Sequence, residues 1–253
     1  MVEWRISIRK GICIDEWNVL MRDEAANGAV QEDMKARLTE LNENEILLYL
    51  GYRGQEYPAE IRKQIERCER EVVTAAQPRL VWRRLPVDGE LFSALHLEGK
   101  DIRELLEGCS EAVLMAVTLG QGIERLLAKS SVSNMADAVI MDACASTAIE
   151  NVADNFEFDL RGEVEEEGKY LTDRFSPGYG DLPLFSQRQL CAALDTGRKI
   201  GLLLSPSLLM IPGKSVTAIL GISDEPKALR KRGCESCSLF RSCMYRKEGK
   251  SCQ

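Results

Sequence analysis

Ala112-Val-Leu-Met-Ala-Val-Thr-Leu119 is an almost unbroken apolar run, preceded by Glu111 and closed by Gly120-Gln-Gly122. A short run of this kind, rich in β-branched residues and followed by turn residues, reads as a strand buried on both faces. Working outward, Arg79-Leu-Val-Trp-Arg-Arg-Leu-Pro-Val87 and Leu91 to Leu97 predict two more strands and Val216 to Ile222 a last one. Residues 3 to 9, Glu-Trp-Arg-Ile-Ser-Ile-Arg, alternate as a half-buried strand. Between these lie helical stretches. One covers Asn44 to Gly51, and another runs from Pro58 to about Ala76 with Ile61, Ile65, Cys68 and Val72 at helical spacing. Others run from Asp101, as N-cap, to Glu107, from Gly122 to Ala128, from Ser133 to about Asn155, and from Phe185 to Gly197. Strands and helices do not alternate regularly, so the expected fold is α+β with a mostly antiparallel sheet and packed helices, not a doubly wound sheet. Three zones of one domain follow: a mainly helical layer over 1–78, an α+β core over 79–223 and a Cys-rich tail over 224–253.

Composition narrows the function. The chain has 253 residues, 45% hydrophobic and 29% charged, with net charge −7. An acidic balance without a basic stripe argues against a nucleic-acid partner. No apolar run reaches the ~18 residues of a membrane span, and the N-terminus has no apolar signal core, so a cytoplasmic protein without a membrane partner is expected. Cys13, Cys68, Cys109, Cys144 and Cys191 are scattered singly in apolar or helical contexts and are expected as reduced core residues. His96 is the one histidine, expected as an ordinary strand side chain, so metal sites built mainly from imidazole are excluded. Glu163 to Glu167 reads as a solvated acidic face.

The stretch that names a chemistry is Arg174-Phe-Ser-Pro177-Gly178-Tyr179-Gly-Asp181, followed after one helix by Ser207-Leu-Leu-Met210-Ile-Pro212-Gly213-Lys-Ser215-Val216-Thr217. Proline presets its φ near −65° and glycine after it accepts positive φ, so the chain reverses and Tyr179 can return toward Arg174. A guanidinium suits a carboxylate, and a phenol ring can lie beside a cation or an adenine. The pair suits a zwitterionic ligand with an aromatic part. Asp173 and Asp181 are candidates for its ammonium or ribose.

These two linked motifs resemble the reactivation domain of cobalamin-dependent methionine synthase, a match covering about fifty residues of this chain. The resemblance implies a curved, mostly antiparallel sheet of the activation-domain kind. It also implies S-adenosylmethionine bound by Arg174, Pro177, Gly178, Tyr179 and Ser215. Where the family continues Gly-Trp-Tyr, this chain continues Ala218-Ile219-Leu220. Neither the Asp-x-His-x-x-Gly cobalamin signature nor a Gly-Gly-Cys-Cys segment is present, so any cobalamin would be carried by a partner. The resemblance thus implies an adenosylmethionine-dependent methyltransferase step in methionine biosynthesis. It would reductively methylate, and so reactivate, cob(II)alamin in trans on a corrinoid-binding protein or a methionine synthase lacking its own activation domain. Flavodoxin or ferredoxin would supply electrons. The alternative is a non-catalytic adenosylmethionine-binding or regulatory protein of the same fold, which the Ala218-Ile219-Leu220 departure favours.

Two glycine-rich stretches imitate phosphate loops and fail as such. Gly213-Lys214-Ser215 has Leu208 where a Walker loop needs its first glycine, and Gly120-Gln-Gly122 has Arg125 where a dinucleotide fingerprint needs its third. Cys234-x2-Cys237-x5-Cys243-x8-Cys252 follows the basic run Lys227 to Arg232. Four thiols within nineteen residues are most economically explained as ligands of one metal site, zinc or an iron–sulfur cluster, with a disulfide pair or a disordered tail as the alternatives.

Overall fold

The computed structural model describes residues 34–52 and 56–227. The strand expected at residues 3–9, Cys13 and the four C-terminal cysteines lie outside the described residues.

The described chain runs α1 (Glu43–Tyr49), α2 (Ala59–Ala75), β1 (Arg79–Pro86), α3 (Glu90–Ser93), α4 (Lys100–Leu106), β2 (Cys109–Thr118), α5 (Gln121–Ser133) and α6 (Met135–Glu166). It continues with β3 (Tyr170–Leu171), α7 (Ser186–Leu194), α8 (Thr196–Ile200), β4 (Leu203–Leu204), β5 (Met210–Ile211) and β6 (Ser215–Ser223). Four strands form one antiparallel sheet in the order β1-β2-β6-β3, and β4 and β5 form a separate hairpin. The fold is therefore α+β, as expected from the irregular order of elements.

The opening run is the central strand β2, and its residues divide between two cores. Val113, Met115 and Val117 join Trp82, Ala218, Leu220 and Ile222 in a cluster filled by α1, α2, α5 and α6. Leu114 and Ala116 join Val81, Leu85 and Ile219 in a second cluster filled by α3, α4, α7 and α8. Period-2 alternation sends neighbours to opposite faces, and both faces are covered, so Ala112 to Val117 are all apolar. Each fully buried aliphatic side chain contributes on the order of 1.5–3 kcal/mol relative to exposure.

Several local expectations change. Leu91 to Leu97 is not a strand: Leu91 and Leu95 are both fully buried, one helical turn apart, with α3 beginning the segment. His96 follows on a turn at φ 47° and is exposed. α5 runs to Ser133, and α6 begins after Asn134, whose side chain accepts from the N–H groups of Ala136 and Asp137. α6 continues past Asn155 to Glu166 because Phe156, Leu160 and Val164 keep its buried face in register, so the acidic stretch caps its end. The helix expected from Phe185 to Gly197 is two helices, divided at Asp195 in the left-handed region. A Cβ on Gly122 would come within 2.1 Å of the Ala75 carbonyl oxygen, so this glycine serves the close packing of α5 on the end of α2.

Among the described residues no helix is long and apolar enough to cross a membrane.

Candidate functional site

Beyond β3 the chain stays alongside β6. The Thr172 N–H donates to Gly221 O at 2.9 Å, and Phe175 and Ile219 exchange two backbone hydrogen bonds at 2.9 Å each. Phe175 packs into the second core cluster, so strand alternation turns Arg174 to the opposite side, against α6. There Glu150, Asp154 and Glu157 follow at i, i+4 and i+7 on one helix face. Arg174 Nε donates to Glu157 Oε2 at 2.9 Å, and Nη2 donates to Asp154 and lies 3.5 Å from Glu150 Oε2. Glu157 is shared: its Oε1 accepts from Arg161 Nη2 at 2.9 Å, and Arg161 Nη1 donates to the Leu171 carbonyl at 2.6 Å. These arginines fasten the edge of the sheet to α6.

Arg174 is 11% exposed at its side chain and already paired on Nε and Nη2, leaving only Nη1 without a hydrogen bond among the described residues. Glu150 and Asp154 remain 41% and 56% exposed, so the outer part of this row faces solvent.

The expected reversal is present. Tyr179 N–H donates to Ser176 O at 3.2 Å, with Pro177 buried at the second position and Gly178 at φ 91° at the third. Tyr179 emerges 47% exposed. Gly180 follows at φ 52°, and a Cβ there would meet Asp101 Oδ2 at 2.1 Å and Phe175 at 3.1 Å. Asp181 then accepts from the backbone N–H groups of Lys100 at 2.6 Å and Asp101 at 3.0 Å, capping α4 from outside. The Lys100 N–H, before the other bonds, holds its carboxyl below the usual aspartate value. Asp181 therefore pins the turn to α4, and Asp101 is not the N-cap; Gly99 stands there. Asp173 is buried and lines an open hollow of about 450 Å³ with Glu157, Arg161, Glu165, Tyr170, Leu171 and Lys227. Neither Arg174 nor Tyr179 lines it, or the larger one of about 670 Å³ beside Met34 to Leu38.

Two residues of α1 complete the surface. Burial first, then the charges of Glu150, Tyr179, Glu45 and Asp154, push the Tyr49 phenol above its ordinary value. Burial and then Asp154 and Glu150 likewise raise Glu45. Tyr49 therefore stands within electrostatic reach of Tyr179 and of the carboxylates Glu150 and Asp154. Glu45 and Tyr49 stand four apart on one helix face, but which carboxylates α1 would meet depends on how it packs across α6.

Ser215 lies elsewhere. It is buried, bonded through Oγ to Thr118 Oγ1 and to the Pro212 carbonyl, both at 2.8 Å. It precedes Ile219 by four residues, or about 13 Å along the strand from the Phe175 bridge. Lys214 Nζ is held by Asp142 and Ser146 at 2.8 Å each, and the Gly213 N–H donates to Glu124 at 2.7 Å, so the apparent phosphate loop is internally bonded. Ala218, Ile219 and Leu220 are all fully buried, divided between the two cores. Among the described residues no group of three His, Cys, Asp or Glu could hold a metal ion.

No family model matches the sequence, and no curated protein matches it. Thirteen chains of solved structures match by fold. At 14% identity this likeness shows the fold alone, an α+β domain with an antiparallel sheet. One such structure is described as the MetH reactivation domain bound to AdoHcy. It superposes with a TM-score of 0.55 over 83% of this chain and 82% of that one, at 14% identity.

Proposed function

We propose that the chain binds S-adenosylmethionine on the surface formed by Arg174, the Pro177-Gly178-Tyr179 reversal, Tyr49, and the α6 carboxylates Glu150 and Asp154. What supports this is that Tyr49 feels both Tyr179 and the carboxylates Glu150 and Asp154 that pair with Arg174, in a domain whose fold neighbour is described as bound to AdoHcy. Charge supports the cationic ligand. Adenosylmethionine carries a sulfonium, an ammonium and a carboxylate, so its net charge is about +1, and a site with more carboxylates than guanidinia favours it. Glu150 and Asp154 take the ammonium, Arg174 Nη1 takes the ligand carboxylate, and the tyrosine rings pack on the adenosyl part. Ser215 supports the start of β6 and makes no ligand contact.

The reaction is methyl transfer to a corrinoid carried by a separate corrinoid-binding protein or methionine synthase, reactivating it after loss of an electron. Flavodoxin or ferredoxin returns that electron. The reduced corrinoid supplies the nucleophile, so this chain needs no acid or base of its own. Its residues hold the sulfonium and orient the methyl outward. Calorimetry with adenosylmethionine and Arg174→Ala tests the site, and conversion of cob(II)alamin to methylcobalamin with a low-potential reductant tests the reaction. One alternative is a non-catalytic adenosylmethionine-binding protein, favoured by Ala218-Ile219-Leu220, which fill the core where the resembled family has Gly-Trp-Tyr. It predicts heat of binding without the spectral change.

A further inference from the structure

α6 carries a second row of polar side chains beside its carboxylates. Glu150 and Asp154 meet Arg174, and Asn151 and Asn155, each one residue on and so about 100° further round the helix, meet the segment that leads into α1. That segment, residues 37–42, runs along α6 in the opposite direction. Arg37 pairs with Asp159 at 2.9 Å, Thr39 meets Asn155 and Asn151, and the Glu40 carbonyl accepts from Asn151 Nδ2 at 3.4 Å. Thr39 is bound through both backbone and side chain. Its N–H donates to Asn151 Oδ1 at 2.9 Å, and its Oγ1 accepts from Asn151 Nδ2 at 3.0 Å and from Asn155 Nδ2 at 3.2 Å. Asn155 Nδ2 also donates to the Arg37 carbonyl and to Asn151 Oδ1, both at 3.1 Å.

We propose that Asn151 and Asn155 are positioning residues for the ligand surface: by gripping Thr39 they fix residues 37–42 along α6, and with them the place of α1 beside Glu150 and Asp154. This rests on the adenosylmethionine reading and assigns to that site residues that do not touch the ligand.

The clasp decides the register because the other holds on this segment are weak. Met34, Ala36 and Leu38 are only partly buried against the first core cluster, and an exposed pair such as Arg37–Asp159 contributes little in water. α1 has seven residues, too few to hold a helix by itself, so its place depends on what ties it down. Three residues separate Thr39 from Glu43, a span of about 14 Å at most, and within it Leu41 is buried in the first core cluster and Asn42 caps α1. A shift at Thr39 therefore passes into α1. The clasp residues are neutral amides, so they hold the segment without competing with Arg174 for Glu150 and Asp154 and without offsetting the negative field that a cationic ligand needs. The Tyr49 phenol, raised by burial first and then by Glu150 and Tyr179, agrees with α1 lying there.

The test compares Thr39→Val, Thr39→Ser and Asn151→Ala with the unaltered chain. It reads amide hydrogen exchange without ligand, calorimetry with adenosylmethionine and the denaturant midpoint. Thr39→Val and Asn151→Ala should speed exchange across residues 37–49 and weaken binding, each about fivefold, with the midpoint little changed. Thr39→Ser restores the hydroxyl and should match the unaltered chain. A merely structural role would lower the midpoint and leave the affinity of the folded protein as it was. Unchanged exchange in α1 overturns the positioning role, as does faster exchange with unchanged affinity, or a Thr39→Ser variant as impaired as Thr39→Val. Failure of the unaltered chain to bind adenosylmethionine removes the ligand reading and this role together, whereas unchanged exchange removes the role and leaves the reading standing.

Discussion

Arg174 Nε and Glu157 Oε2 meet at 2.9 Å, with both side chains about nine-tenths buried, at the seam between the sheet edge and α6. The same guanidinium that fastens this seam reaches the exposed carboxylates Asp154 and Glu150. One residue therefore joins the scaffold to the candidate ligand surface, and substitution there acts on both.

Arg174→Ala should lower stability by about 1–3 kcal/mol, since Glu157 loses one partner yet keeps Arg161. It should also abolish adenosylmethionine binding. Arg174→Lys should recover part of the stability and none of the binding, because an ammonium cannot serve Glu157, Asp154 and a ligand in one plane. Urea unfolding beside calorimetry separates the two effects. Unchanged affinity in both variants would remove Arg174 from the site.

Gly180→Ala places a Cβ at φ 52° within 2.1 Å of Asp101 Oδ2, so the 176–182 turn must shift. Left-handed backbone for an L-residue costs about 1–2 kcal/mol before the clash is counted. A larger loss than that, with weakened ligand binding, is expected from denaturant titration and calorimetry. A neutral effect would mean the turn is not held as described.

Selectivity between the sulfonium ligand and its demethylated product should depend on charge. One extra positive charge near Glu150 and Asp154 is worth on the order of 1 kcal/mol, about a fivefold preference for adenosylmethionine over adenosylhomocysteine. The preference should shrink between about 0.1 M and 1 M salt, where the screening length falls from ~10 Å to ~3 Å. Glu150→Gln with Asp154→Asn should remove most of it. Equal affinities at low salt would contradict the charge argument.

Acid should unfold the protein through specific carboxylates. Arg84 first, and then Lys169, hold Glu111 below its ordinary 4.5, Arg84 likewise lowers Glu167, and Arg67 holds Asp137 below 3.8. Groups with depressed folded values stabilise the protein above their unfolded values and lose that contribution as pH falls through the folded ones. Stability is therefore expected to be flat above about pH 5 and to drop below pH 4.5, less steeply in Arg84→Met. Denaturant midpoints against pH measure this; parallel curves for both proteins would exclude Arg84 as the cause.

Hydrophobic period and turn chemistry are local, and both were legible in the chain: β2 as a strand covered on two sides, the start of α2 at Pro58, and the Pro177-Gly178 reversal. The segment 91–97 misled because its apolar residues fit a strand as well as a short helix, and only packing against β1 and β2 chooses between them.

The amino-acid sequence by itself determined the α+β class and placed an arginine and a tyrosine around a forced turn, because periodicity and backbone preference act between near neighbours. Only the tertiary structure decided that Arg174 is already gripped by Glu157 and Asp154 of α6, that Asp181 caps α4, and that Tyr49 lies near Tyr179 and Glu150. Those contacts join residues from 17 to more than 100 positions apart along the chain. Whether a charge is open or paired depends on which element packs beside it, and no local pattern encodes that.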